Sequence, residues 1–142
     1  MGDAQRQGSL EKPVFFLDEN HCGNPHLQAA FNEAKVSFEK HTDHFKRGVE
    51  DTVWIPEVAQ KNWVVLTADA RIRVNSLERR AIEANRLRLF YFSRNDFSGL
   101  EVGAITRIAL PKMLRICISH EPPFTASITR RGEVILRDLF GA

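Results

Sequence analysis

The stretch VVLTAD, residues 64–69, passes from three consecutive apolar side chains to a carboxylate. A short apolar run of this kind is typical of a strand buried on both faces of a parallel sheet. A carboxylate at the end of such a strand loses its solvation unless hydrogen-bond donors, a cation or a metal ion keep it charged. The stretch therefore predicts a buried strand with a functional acid, Asp69, at its carboxyl end.

The same pattern occurs twice more along the chain, with helical spacing between the strands. PVFFLDEN (13–20) is a strand that leads into Asp18 and Glu19, and RLRLFYF (86–92) is a strand followed at a short distance by Asp96. VSFEKHTD (36–43) alternates as a strand, whereas 23–35, 51–62 and 76–85 show the spacing of amphipathic helices. Strands that alternate with helices predict a three-layer α/β/α fold with a mainly parallel central sheet.

The C-terminal part departs from this alternation. Residues 100–120 have helical spacing, but Pro111 predicts a break or kink and hence two helical pieces. The following stretch, FTASITRRGEVILRDL, holds two alternating runs around Arg131-Gly132 and predicts a C-terminal β-hairpin. We expect a polar N-terminal tail at residues 1–12 and a single domain at residues 13–142.

Composition narrows the classes of protein to consider. No apolar run approaches the roughly 20 residues needed to span a membrane, and the polar N-terminus is no secretory signal. Cys22 and Cys117 form no CxxC pair, so the cytoplasm is the expected compartment. The net charge is +2, but residues 1–70 carry 7 basic and 11 acidic side chains, and residues 71–142 carry 13 basic and 7 acidic ones. Such a division suits a metal site beside a phosphate-binding surface.

The predicted topology gathers the acids. The carboxyl ends of parallel strands meet at one edge of the sheet, so Asp18, Glu19, Asp69 and Asp96 are expected together there. Asp51 begins a helix and joins them, with neighbouring Glu50 as its rival. Because close carboxylates repel one another, we expect Mg²⁺ or Mn²⁺ to bind between them, and an acid-to-amide substitution to relieve strain in the metal-free protein.

The segments FFLDEN and EDTVWIPEVAQKNWVVLTADARI together resemble the PIN domains, and more narrowly the PIN-like nucleases related to VapC-type toxins. The resemblance covers roughly residues 13–95 and implies metal-dependent cleavage of RNA, often by a toxin with a cognate antitoxin. It implies Asp18, Asp51 and Asp69 as catalytic acids, which bind the metal with Glu19 and Asp96. The expected substrate contacts are Asn20, Thr67, Arg71 and Arg73. The C-terminal hairpin lies outside the common pattern of the family and can serve a partner protein, a homodimer or only the core.

Two other functions stay open. A PIN-like chain can keep the acids and serve only as a nucleic-acid-binding or protein-binding module. A receiver-like signalling domain also places acids after its first and third strands, but the lysine expected after a fifth parallel strand is missing. The run HTDH (41–44) fits no standard zinc spacing and is expected to be a solvated loop. Trp54 and Trp63 are expected in the core.

Overall fold

A computed structural model of the chain describes residues 12–68 and 76–137. The predicted N-terminal tail therefore lies outside the described residues except for Lys12. In chain order the elements are β1 (Val14–Leu17), α1 (Pro25–Ala34), β2 (Ser37–Lys40), α2 (His41–His44), α3 (Asp51–Gln60), β3 (Val64–Thr67), α4 (Ser76–Ala84), β4 (Arg88–Phe92), α5 (Gly99–Ser119), β5 (Phe124–Ile128) and β6 (Val134–Arg137).

The strands form one six-stranded sheet in the order β2-β1-β3-β4-β5-β6. Every neighbouring pair is parallel except β5 and β6, which pair antiparallel as a hairpin. The predicted three-layer fold with a mainly parallel sheet and a C-terminal hairpin is therefore confirmed. The short apolar runs are the central strands, and all four residues of β3 are buried.

Apolar side chains cover both faces of the sheet, because alternate strand residues point to opposite faces. On one face, Phe15 and Leu17 pack with residues of α1 and α5. On the other face, Phe16 packs with Trp54 and Val58 of α3 and with Ile82 of α4. Trp54 is 4% exposed and belongs to the core as predicted. Trp63 is only partly buried and packs against this core, stacked on Phe16 at 5.9 Å between ring centroids.

The prediction of two helical pieces around Pro111 was wrong, since α5 runs unbroken from Gly99 to Ser119. Pro111 lies on the exposed side of the helix, where water can bind the carbonyl that loses its N–H donor. The opposite side packs on the sheet over the whole length of the helix, through Val102, Ile105, Ala109, Leu110, Met113 and Cys117. Tertiary packing thus outweighs the cost of one proline. No helix among the described residues is long and apolar enough to cross a membrane.

The prediction of a solvated loop at HTDH was wrong about the backbone and about His41, although Thr42, Asp43 and His44 are exposed. β2 ends at Lys40, and the four residues that follow form one helical turn, α2. His41 is only 2% exposed and packs between the rings of Phe16, Phe45 and Trp54. One residue of this polar run, His41, is therefore buried against the core.

Candidate active site

The carboxyl ends of β2, β1 and β3 lie side by side at one edge of the sheet. Leu17 pairs with Lys40 of β2 and with Leu66 of β3, so the next residues, His41, Asp18 and Thr67, form a row. After β1 the chain continues to α1 on one face, whereas α4, which follows β3, covers the other. Ligands of open α/β sheets bind at such a divergence.

A cleft of about 300 Å³ opens at this edge. Its lining combines carboxylates, an amide, a hydroxyl, an imidazole and an indole, from Asp18, Glu19, Asn20, His41, Asp51, Trp54 and Thr67. Five of these seven are residues that the sequence analysis proposed for the site, and they come from three segments of the chain. The fold therefore gathers acids that are distant in sequence.

Asp18 is 8% exposed, and hydrogen bonds hold both of its oxygens. The backbone N–H of His21 donates to Oδ1 at 2.8 Å. The Thr67 hydroxyl at 2.7 Å and the Ala68 N–H at 3.0 Å both donate to Oδ2. Donors of this kind favour the charged form of a buried carboxyl group and fix its orientation. Thr67, predicted as a substrate contact, thus bonds to Asp18.

Asp51 is the first residue of α3, and Glu50 is the N-cap residue, whose side chain makes no capping bond. The Asp51 Oδ1 accepts a hydrogen bond of 2.7 Å from the indole N–H of Trp54, one helical turn further on. Asp51 lines the cleft, and Glu50 is not among its described lining residues. The structure therefore favours Asp51 as the acid from this segment.

Glu19 fixes the loop that leads to α3. The Gly48 N–H donates to both carboxylate oxygens of Glu19, at 3.1 and 3.2 Å. A guanidinium nitrogen of Arg47 lies 3.9 Å from the same carboxylate. Glu19 lines the cleft, as does the exposed Asn20 beside it.

The other predicted site residues divide into two groups. Asp69, Arg71 and Arg73 lie outside the described residues. Asp96 is described, but it is not among the residues that line the cleft. Its carboxylate forms a paired contact with Arg94, at 3.0 and 2.7 Å, which holds the pKa of Asp96 below its ordinary value.

Four arginines of the basic half of the chain, Arg88, Arg94, Arg107 and Arg130, have partners away from the cleft lining. Beyond the Arg94 pair, Arg107 forms two hydrogen bonds with Glu33, and Arg130 pairs with Glu101. Arg88 begins β4, at the end of the sheet opposite the cleft, and binds Asn62. Among the described residues, the cleft lining contains no lysine or arginine.

Two residues of the cleft lining were not assigned to the site by the sequence analysis: Trp54, which was expected in the core, and His41. The polar neighbours of His41 in HTDH disguised it, although it directly follows a strand, as Asp18 does. The available signal was the position after a strand beside β1 in a parallel sheet. To predict that His41 lies beside Asp18, one would have needed to know the register between β1 and β2.

The described side chains of the cleft carry the oxygen ligands that a hard divalent cation prefers. Asp18, Glu19 and Asp51 offer carboxylate oxygens, and Mg²⁺ is commonly held by one or two carboxylates together with water and substrate phosphates. Within residues 12–68 and 76–137, no three His, Cys, Asp or Glu side chains converge closely enough to hold a metal by themselves. The described residues therefore fit an open site of this kind and do not form a closed protein cage.

Comparison with known proteins gives one match. A family model described as PIN like domain matches residues 13–94, from the start of β1 to just beyond β4. No curated protein and no solved structure matches the chain. The matched segment spans more than half of the chain and contains Asp18, Asp51 and Thr67. By this match and by its mainly parallel sheet, the chain belongs to the PIN-like domain family and has a nuclease-type fold.

Proposed function

We propose that this PIN-like protein is a metal-dependent endoribonuclease that hydrolyses RNA phosphodiester bonds with Mg²⁺ or Mn²⁺. One observation carries the proposal: in a PIN-like chain, Asp18 and Asp51 come from separate segments to line the same cleft. Carboxylates without a cation would repel a phosphodiester, whereas carboxylates that hold a cation attract it. Asp18, Asp51 and Asp69 are the proposed catalytic acids, with Glu19 as a further candidate ligand.

Each described side chain has a distinct part in this proposal. When bound, the divalent ion lowers the pKa of a water ligand and stabilises charge that develops on the phosphate. Three donors fix the orientation of the Asp18 carboxylate. The Trp54 indole orients Asp51, and Glu19 holds the loop that brings Asp51 to the cleft.

The experiment is a cleavage assay on single-stranded RNA with Mn²⁺. Asp18→Asn, Asp51→Asn and Asp69→Asn should each abolish cleavage. Thr67→Val removes an orienting bond to a ligand, for which a loss of about 10- to 100-fold is expected. Asp96→Asn is the matched control, because this exposed acid pairs with Arg94 away from the described cleft lining, and it should cleave like the wild type.

Equal cleavage by the wild type and Asp18→Asn would refute the proposal. Tight RNA binding by a wild type that cleaves no RNA would favour the non-catalytic binding module instead. That module is the second candidate, since no three His, Cys, Asp or Glu side chains among the described residues are placed to hold a metal.

We further propose that the nuclease acts in the cytoplasm as the toxin of a toxin–antitoxin pair, a role supported by the resemblance to VapC-type toxins. Expression of the wild type should then stop the growth of a bacterial host, and expression of Asp18→Asn should not. Co-purification of a cognate antitoxin would identify the partner, and sedimentation of the pure chain would test for the homodimer.

A further inference from the structure

His41 carries a buried polar atom that the fold leaves unsatisfied. The side chain is 2% exposed, and its Nδ1 has no hydrogen-bond partner among the described residues. An unpaired buried polar group costs roughly 1–3 kcal/mol, so its presence calls for an explanation. Among the other polar side chains of the cleft lining, Asp18, Glu19, Asp51 and Thr67 form hydrogen bonds.

Packing alone does not require a histidine at this position. The His41 ring lies 5.7 Å from the ring of Phe16 and 5.5 Å from that of Phe45, measured between centroids, and contacts Trp54 edge-on. A phenylalanine would make such ring contacts without burying a nitrogen. The ring also lines the cleft, in the row of residues that contains Asp18.

We propose that His41 is a substrate-binding residue, whose imidazole donates a hydrogen bond to a backbone phosphate oxygen of the nucleic acid in the cleft. The inference rests on the proposed function. A neutral imidazole has one N–H donor and one acceptor nitrogen. We assign the donating N–H to Nε2, because Nδ1 is the enclosed nitrogen. The unpaired Nδ1 is then the cost of keeping a ring whose other nitrogen serves the cleft.

The composition of the cleft leaves few other donors for this role. Among the described lining residues, no lysine or arginine is present to bind a phosphate. Two side chains of the described lining, His41 and Asn20, carry N–H groups and form no hydrogen bond within the described residues. They are therefore the side chains that can donate to a phosphate.

The test measures the affinity for RNA and the thermal stability of His41→Phe. The probe is a short fluorescein-labelled single-stranded RNA, with Ca²⁺ as the divalent ion and RNA integrity checked on a gel. We expect the Kd of His41→Phe to rise about tenfold, which corresponds to roughly 1.4 kcal/mol. Its Tm should stay the same or rise, because a carbon replaces the unpaired nitrogen. His41→Gln retains an N–H donor and should recover part of the affinity.

The matched control is His44→Phe. His44 lies in the same helical turn and packs on Phe16 and Trp63, but it bonds to Glu39 and is not among the described lining residues. Its replacement should leave the Kd unchanged. An unchanged Kd in His41→Phe would overturn the inference, as would a parallel loss of Tm and affinity, which would indicate a structural ring.

The two proposals can fail separately. If the wild type binds RNA without cleaving it, and His41→Phe weakens that binding, the phosphate contact stands and the nuclease proposal falls. If the wild type cleaves RNA, and His41→Phe has the same Kd and KM, the nuclease stands and the phosphate contact falls. A wild type that binds no RNA overturns the phosphate contact.

Discussion

At the scale of single residues, the cleft is built from side chains that other groups already hold in place. Asp18 accepts three hydrogen bonds from donors of its own chain, and Asp51 accepts one from Trp54. The sequence alone predicts that an amide at position 18 relieves repulsion between acids. The hydrogen bonds predict the opposite sign, because they require an acceptor at both oxygens.

Asp18→Asn should therefore destabilise the metal-free protein, by about 1–3 kcal/mol. The amide offers one acceptor oxygen, so its NH₂ group must face either the N–H of His21 or the donors of Thr67 and Ala68. Asp51→Asn is the matched comparison: its carbonyl oxygen can still accept the indole N–H of Trp54, and its stability should hardly change. Denaturant unfolding in EDTA measures both, and an Asp18→Asn protein as stable as the wild type would contradict this account.

At the scale of elements, the approach of α1 to α5 positions the segment between β1 and β2. Gly103 on α5 allows this approach, since a Cβ there would lie 2.6 Å from the Cβ of His26 and 2.8 Å from its backbone. Asn24 begins α1 as its N-cap, accepting from the N–H groups of His26 and Leu27, and its amide donates to Gly99 at the start of α5. The two helices therefore meet at fixed positions.

Gly103→Ala should lower the free energy of unfolding by about 1–3 kcal/mol, because backbone would have to move to admit one methyl group. Gly23→Ala is the control, since a Cβ at Gly23 meets nothing within 4 Å. Chemical denaturation of both variants checks the prediction. Equal stability of the two would show that α1 and α5 can separate at little cost.

At the scale of the whole molecule, surface ion pairs join Arg94, Arg107 and Arg130 to carboxylates of the described residues. Hydrogen bonds lower the pKa of three exposed carboxyl groups. The donor to Glu33 is Arg107, and the donor to Asp96 is Arg94. The backbone N–H of Ser98 lowers the pKa of Glu101. A carboxyl group whose pKa is lower in the folded state stabilises the fold above its unfolded pKa. That stabilisation is lost as the pH falls through the folded value.

We therefore expect the free energy of unfolding to decline as the pH falls below about 4.5, the ordinary value for the two glutamates. Because the Arg94 and Arg107 pairs are exposed, salt should screen them and make the decline shallower. Urea titrations over a pH series, at low and high salt, measure both effects. A stability that rises on acidification would contradict the assignment.

Local patterns in the sequence determined the class of fold and three segments of the cleft. Apolar runs bounded by acids marked the strands, and alternation with helices implied a parallel sheet, so Asp18, Asp51 and Thr67 could be named in advance. These features depend on neighbours within a few residues, which the sequence displays directly. Pro111 is the exception, because the packing of α5 on the sheet outweighs the local effect of the proline.

Only the tertiary structure decided which side chains share the cleft and what each one contacts. The register between β1 and β2 places His41 beside Asp18, and packing buries His41 at the start of a helical turn whose other residues are exposed. The fold also pairs Arg107 with Glu33, two residues that are far apart along the chain. No local spacing in the sequence reveals this pair. Contacts between distant segments depend on strand order and register, and these follow from the packing of the whole chain.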